Sequence, residues 1–196
     1  MIKITSDAHT VQLKLVRWIT EVSVSGRQLL YSAAANAVAI LTRRHISRLA
    51  SWKHISAESL GAQPTGHLEK AARATVHHAT PSYGEVVIPS PGFSRAFHDV
   101  EIRPRDAQAL TIPTAAESYG KRASVLSALG WKIFRPKGKR VLMGSMNGDE
   151  AKVLYSLCKS VRQRQDRTLL PSDEEINQTA ASAVLEYIRT VQRKAS

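Results

Sequence analysis

Cysteine is almost absent from the sequence, and the single Cys158 cannot form an internal disulfide bond. Acidic residues are also scarce, since 16 aspartates and glutamates stand against 28 lysines and arginines and leave a net charge of +12. No uncharged run reaches the roughly 18 apolar residues that a membrane-spanning helix requires. Polar residues follow Lys3 where the apolar run of a signal peptide would begin. We therefore expect no disulfide framework, no membrane contact and no export from the compartment of synthesis.

The composition is typical of a folded protein, because hydrophobic residues make up 43% of the 196 residues and charged residues 22%. This length is sufficient for one well-packed domain with extensions. We expect a helical region over residues 1–60 and an α+β core over residues 61–196, which together form one compact unit.

Two helices are predicted in the N-terminal region. Apolar residues at helical spacing between Val11 and Val22 indicate the first, which ends before Ser25 and Gly26. The second extends from about residue 27 to residue 50, and its predicted apolar stripe consists of Leu30, Ala34, Ala37, Val38, Leu41, His45 and Leu49. Arginines complement the dipole at its C-terminal end, namely Arg43, Arg44 and Arg48.

The middle of the chain predicts short elements separated by proline and glycine. A short helix over residues 67–78 follows the connection at residues 61–66. Strand composition then marks residues 82–89, 100–103 and 109–112, and a proline closes each of these segments.

A β-hairpin is predicted over residues 131–143. Apolar and polar residues alternate over residues 131–134, residues 136–139 have turn composition, and a second strand follows. Residues 151–161 alternate again and predict a third strand, so that this region forms an antiparallel meander. Cys158 lies in that strand, where we expect it to be a buried small hydrophobic residue.

The last element predicted is a helix from Asp173 to about Arg193. A capping box formed by Ser172 and Glu175 precedes it. Its predicted apolar stripe consists of Ile176, Ala180, Ala183, Val184, Tyr187 and Val191. The fold class predicted from all these elements is α+β, an antiparallel sheet with a long hairpin, flanked by a long N-terminal helix and a C-terminal helix.

The sequence contains no recognisable catalytic, cofactor-binding or metal-binding set. The histidines nearest one another in sequence are His77 and His78, with His67 or His98. Adjacent histidines in a helix would point about 100° apart, so His77 and His78 do not form an i, i+4 pair of metal ligands. Asp99 and Glu101 would share one face of a strand and could be considered a catalytic carboxylate pair. Hydrolytic nucleases, which use such carboxylates, normally draw more of them from separate elements, so we favour a structural role for this pair. Phosphate loops, nucleophile elbows and dinucleotide fingerprints are absent. We expect a protein that is not an enzyme and needs no cofactor.

The positive charge is concentrated in residues 121–167, which hold 12 basic and 3 acidic residues and so a net charge of +9. Within this segment the predicted basic hairpin carries Lys132, Arg135, Lys137, Lys139 and Arg140, beside Trp131 and Phe134. Such a field attracts a nucleic-acid backbone or an acidic protein surface. A solvated basic face is the alternative interpretation, and the two aromatic residues fit either base stacking or a hydrophobic core.

Short motifs follow one another from residue 91 onward: Pro91-Gly92, Arg95, His98, Ile102-Arg103-Pro104, Ala109-Leu110, Ile112-Pro113, Tyr119-Gly120, Lys159-Ser160-Val161 and Leu170 to Glu175. In this order, and over roughly residues 27 to 190, the chain resembles the virion morphogenesis and tail-completion family of long-tailed bacteriophages. It departs from the family at Asp99-Val100, where members commonly carry two glycines.

The resemblance implies a structural protein that terminates the tail and joins it to the head at the neck, often as a sixfold ring. The partners implied are further copies of the chain, the tail tube protein, and connector or portal proteins. The implied locations are the host cytoplasm during assembly and then the virion. The resemblance also directs attention to Arg95, His98 and Arg103. Two alternatives remain, a head–tail adaptor or stopper under the portal, and a small DNA-binding protein.

Overall fold

The computed structural model describes residues 24–53 and 55–195. The helix predicted between Val11 and Val22 lies outside these residues. The fold is α+β, as the sequence predicted, with antiparallel sheets, a long N-terminal helix and a C-terminal helix. Within the described residues no helix has the length and apolar character needed to cross a membrane.

The helices of the described chain are α1 (Val24–Ala50), α2 (Ile55–Glu58), α3 (His67–Ala74), α4 (Pro91–Phe97), α5 (Ala123–Ala128) and α6 (Asp173–Ala195). Two 3-10 turns lie at Ala116–Ser118 and Arg167–Leu169. The strands are β1 (Val76–Ala79), β2 (Gly84–Val87), β3 (Val100–Ile102), β4 (Leu110–Pro113), β5 (Lys132–Phe134), β6 (Val141–Ser145), β7 (Lys152–Cys158) and β8 (Val161–Gln163).

The described chain divides into two compact units. The helix-rich unit comprises residues 24–45, 72–89 and 170–195, and the sheet unit comprises the described part of residues 46–71 together with residues 90–169. The predicted boundary near residue 60 therefore falls inside the sheet unit. A contiguous division cannot represent these units, because segments distant in sequence pack together within each of them.

In the helix-rich unit, α1 packs mainly through small side chains. Two residues of the predicted stripe are buried as expected, Leu30 and Leu49. Between them Ala35, Ala39 and Thr42 are buried, whereas the predicted Ala34, Ala37, Val38, Leu41 and His45 are only partly buried. The shift has a steric reason at Gly84 of β2. A Cβ atom at Gly84 would lie 2.7 Å from the Tyr31 carbonyl oxygen and 3.1 Å from the Ala35 Cβ. Strand β2 therefore approaches α1 closely at Gly84 and Ala35, where both side chains are small or absent.

β1 and β2 form an antiparallel hairpin in the helix-rich unit, which corrects the helix predicted over residues 67–78. Helix α3 ends at Ala74, and Val76 then pairs with Val87. The Arg43 Nε donates a hydrogen bond of 3.0 Å to the carbonyl oxygen of buried Thr75. Cross-strand pairing and this bond stabilise the extended conformation, so local helical periodicity does not decide the outcome.

The capping box predicted at the start of α6 is confirmed. The Glu175 amide donates to the Ser172 Oγ over 3.3 Å, and the Ser172 amide donates to the Glu175 Oε2 over 2.9 Å. Two backbone donors at the helix N-terminus are thereby satisfied.

The sheet unit contains a four-stranded antiparallel sheet in the order β4-β7-β6-β5. The hairpin predicted over residues 131–143 is confirmed as β5 and β6. Register shifts by one residue between Leu142 and Met143, which leaves Leu154 of β7 as the extra residue of a bulge. The bulge turns both Leu154 and Tyr155 into the same core, where they pack with Leu126.

The predicted third strand is two strands in two sheets. β7 ends at Cys158, and β8 pairs with β3, with Glu101 opposite Arg162. The sequence does not reveal that β7 and β8 pair with different strands, because apolar residues alternate with the same two-residue period along both. Cys158 itself is partly buried.

Helix α4 lies between the predicted strands of residues 82–89 and 100–103. The Ser90 Oγ accepts a hydrogen bond of 3.3 Å from the Phe93 amide, and Pro91 begins the helix. A serine cap followed by proline is a strong local signal for a helix start. Phe93 is buried in the sheet unit, so this helix is held by its core contact as well as by its cap.

Candidate interaction surface

The basic hairpin is formed by β5, β6 and the turn that joins them. The turn is closed by a hydrogen bond of 3.1 Å from the Lys139 amide to the Pro136 carbonyl oxygen, and Gly138 adopts a left-handed φ of 74°. The Arg135 Nε also donates to the Lys139 carbonyl oxygen over 3.1 Å. All the predicted basic residues of the hairpin are exposed, namely Lys132, Arg135, Lys137, Lys139 and Arg140.

The two aromatic residues of the hairpin have different environments. Trp131 packs against the sheet-unit core, and the Lys152 Nζ lies 5.4 Å from its ring centroid. Phe134 is 46% exposed. Of these two aromatic residues, Trp131 therefore belongs to the core, and Phe134 is accessible to a partner. The sequence left both interpretations open for each residue.

Phe134 belongs to an apolar row on the open face of the four-stranded sheet. It pairs with Met143, which in turn pairs with Val153 on β7. Directly paired residues of antiparallel strands lie on the same face. Val153 is 39% exposed and Met143 is partly buried. The basic hairpin therefore combines exposed cations with the exposed Phe134, and the exposed Val153 of β7 lies on the same face of the sheet. An alternating pattern alone could not specify which face is open.

The structure brings together two of the three residues to which the resemblance directed attention. Arg95 of α4 and Arg103 after β3 line one open groove of about 870 Å³, together with Arg105. The third residue, His98, is not part of its lining, and its ring packs edge-on against Phe97 with centroids 5.3 Å apart. We call this site the arginine groove.

Asp99 and Glu101 form ion pairs with arginines. The Arg162 guanidinium donates to both oxygens of Asp99, at 3.2 and 2.7 Å, and these bonds hold the pKa of Asp99 below its usual value. A hydrogen bond from Ser160 and another from Arg103, of 2.8 Å, lower the pKa of Glu101. Both carboxyls are stabilised in the charged form, which fits a structural role better than proton transfer. The pairing of β3 with β8 places Arg162 beside them, and sequence reasoning missed this partner.

A smaller cavity of about 280 Å³ in the sheet unit is lined by Lys53, His67, Tyr119 and Asp166 among others. Lys53 and Asp166 form an ion pair across it, and the Lys53 Nζ also donates to the Thr168 Oγ1 over 2.6 Å. Burial raises the pKa of Asp166, but hydrogen bonds from Lys53 and Thr168 outweigh this effect and lower it overall. Sequence reasoning missed this cluster because its members lie up to 115 residues apart.

The two adjacent histidines considered as metal ligands point in opposite directions. His77 and His78 are consecutive on β1, and consecutive strand residues point to opposite faces. Among residues 24–53 and 55–195 no group of three or more histidine, cysteine or acidic side chains is arranged to hold a metal ion.

Comparison with protein families, curated proteins and solved structures finds no match to the chain.

Proposed function

We propose that this protein is a virion structural protein of a long-tailed bacteriophage, without enzymatic activity, that completes the tail and joins it to the head as an oligomeric ring. The order of motifs between residues 91 and 175 supports the proposal. The observation that carries it furthest is the basic hairpin, which holds five exposed basic residues together with the exposed Phe134.

The basic hairpin forms one edge of the four-stranded sheet. β5 is the terminal strand in the order β4-β7-β6-β5, and an edge strand can pair with another chain. A ring of identical subunits needs two different surfaces that meet head to tail. The basic hairpin supplies one such surface, and its charge favours an acidic surface on the adjoining subunit, the tail tube protein or a neck protein.

The same surface also supports the alternatives. A head–tail adaptor or stopper at the portal would use an equivalent ring contact. A small DNA-binding protein would use the cations for phosphates and Phe134 for base stacking. DNA binding as the main function requires an affinity for DNA that falls steeply with salt, whereas a ring-forming assembly protein needs no such affinity for DNA.

Charge reversal of the hairpin turn tests the ring contact. The triple variant Arg135→Glu, Lys137→Glu and Lys139→Glu should shift the protein from ring to monomer in size-exclusion chromatography with light scattering. The reason is that like charges replace complementary ones at the contact. The matched control reverses Lys70, Arg122 and Lys159, which are exposed in the same unit but lie outside the hairpin. Ring assembly that survives in the hairpin variant would contradict the assigned contact.

Electron microscopy of lysates tests the function itself. A phage or prophage with a stop codon in this gene should accumulate filled heads beside separate tails. Normal infectious particles would contradict tail completion and head joining. Filled heads that lose DNA at the portal would instead favour the adaptor or stopper, and a salt titration with duplex DNA measures the third alternative.

A further inference from the structure

The arginine groove lies between helix α4 and strand β3. Pro91, Ser94 and Arg95 line one side, and all residues from Val100 to Arg105 line the other. We propose that this groove binds an extended acidic peptide segment of a partner protein. The proposal concerns a different surface from the basic hairpin and does not depend on tail completion.

Strand β3 has a free edge. Its only neighbour among the described strands is β8, and all three β3 residues line the groove while no β8 residue does. In an antiparallel pair, alternate residues direct their amide and carbonyl groups away from the partner strand. The backbone of β3 therefore offers both donors and acceptors on the edge away from β8, which is the pattern that another extended peptide complements.

The groove is predominantly basic. The groove lining contains Arg95, Arg103 and Arg105 but only one carboxylate, Glu101. Glu101 binds Arg103 through a hydrogen bond of 2.8 Å, and the Arg95 Nε donates to the Pro91 carbonyl oxygen over 3.2 Å. These bonds orient two of the guanidinium groups before a ligand arrives. Guanidinium groups favour carboxylates because their donors match the two carboxylate oxygens.

A peptide complements the edge of β3 better than a nucleic acid does. A phosphate backbone accepts hydrogen bonds but offers a strand edge few donors, so it leaves the outward carbonyl groups of β3 without partners. The apolar members of the lining, among them Val100, Ile102 and Leu110, also suit the side chains of an alternating peptide. An acidic peptide therefore satisfies the backbone, the charge and the apolar surface together.

Binding of fluorescent peptides to the full chain tests the proposal. The probes are nine-residue peptides in which valine or leucine alternates with glutamate or aspartate, measured by fluorescence anisotropy. Matched peptides carry glutamine or lysine at the acidic positions. We expect the glutamine peptides to bind roughly tenfold more weakly and the lysine peptides not at all. Hydrogen exchange of the unmodified protein should show new amide protection confined to β3 and its neighbours when an acidic peptide is bound.

The variant for this test replaces Arg95, Arg103 and Arg105 with glutamine and should bind acidic peptides at least roughly tenfold more weakly. Its matched control replaces Arg48, Arg122 and Arg167 with glutamine, since these exposed arginines lie outside both the groove and the basic hairpin. An acidic peptide with N-methyl groups at alternate amides should lose binding if the β3 edge takes part.

Failure of every acidic peptide to bind, equal binding by the groove variant, or tighter binding of a thymidine oligonucleotide at the same residues would overturn the proposal.

Discussion

The two units of the chain bury different kinds of side chain. The sheet unit encloses large residues, since Leu126, Leu154 and Tyr155 are each at most 1% exposed. The helix-rich unit buries, besides Leu30, mainly small side chains on α1, such as Ala35 and Ala39, and several of its large apolar side chains remain exposed, as some do in the sheet unit. Those exposed residues include Val76, Tyr83, Val87, Leu185 and Val191. The sheet unit thus depends on the volume that fills its core, and the helix-rich unit depends on close backbone approach.

The units also differ in charge. Residues of the sheet unit hold 18 basic and 9 acidic side chains, a net charge of +9, whereas the helix-rich segments together with residues 1–23 hold 10 and 7, a net charge of +3. Both candidate interaction surfaces, the basic hairpin and the arginine groove, lie on the more highly charged sheet unit.

The largest effect is expected from Leu154→Ala in the sheet unit. Leu154 is fully buried, and its removal should lower the free energy of unfolding by about 3 kcal/mol, because the bulge cannot collapse onto the vacated space. Chemical denaturation measures the loss. Leu185→Ala is the matched change in the helix-rich unit, where the side chain is 46% exposed, and should cost less than about 1 kcal/mol. Equal losses would contradict the difference between the units.

A smaller loss is expected from Gly84→Ala, which tests close approach in the helix-rich unit. The added methyl group would meet the Tyr31 carbonyl oxygen at 2.7 Å, so β2 must move from α1 at a cost of about 2 kcal/mol. Thermal unfolding followed by circular dichroism measures this cost. Gly92→Ala is the control, since a Cβ there meets no atom within 4 Å and falls in helix α4. A neutral Gly84→Ala would show that small residues are not required at this contact.

The smallest effect is expected from Asp166→Asn in the sheet unit, and it should depend on pH. The Asp166 Oδ1 accepts hydrogen bonds from the Thr168 amide at 3.1 Å and its hydroxyl at 2.7 Å, so the change should cost about 1 kcal/mol at neutral pH. Since folding lowers the pKa of Asp166, the stability that it contributes is present above the unfolded-state value of about 3.9. That contribution is lost as the pH falls through the folded-state value.

Urea unfolding at several pH values measures this dependence. The difference between the parent protein and Asp166→Asn should be largest at pH 7 and should shrink below about pH 4. Asp106→Asn, at an exposed position of the same unit, is the control and should unfold like the parent. A difference that stays constant down to pH 2 would mean that ionisation of Asp166 does not stabilise the sheet unit.

Elements with strong local signals were predictable from the sequence. The basic hairpin has its own turn, and α6 has its own capping box, so neighbours in sequence specify both. The predicted helix over residues 67–78 was wrong beyond Ala74, because β2 pairs with the segment that follows. The arginine groove was predictable only in part. Arg95 and Arg103 were identified, but Arg105 had no motif and the free edge of β3 depends on a pairing with β8.

The sequence by itself determined the α+β class, the basic hairpin and its charge, and the capped C-terminal helix. These properties arise from residues close together in the chain, whose conformational preferences and electrostatic field need no distant partner. Tertiary structure alone decided that residues 152–163 serve two sheets, that Phe134 is open while Trp131 is packed, and that Arg162 neutralises Asp99. Such outcomes depend on which surfaces are buried together, and burial is a property of the folded chain rather than of any local segment.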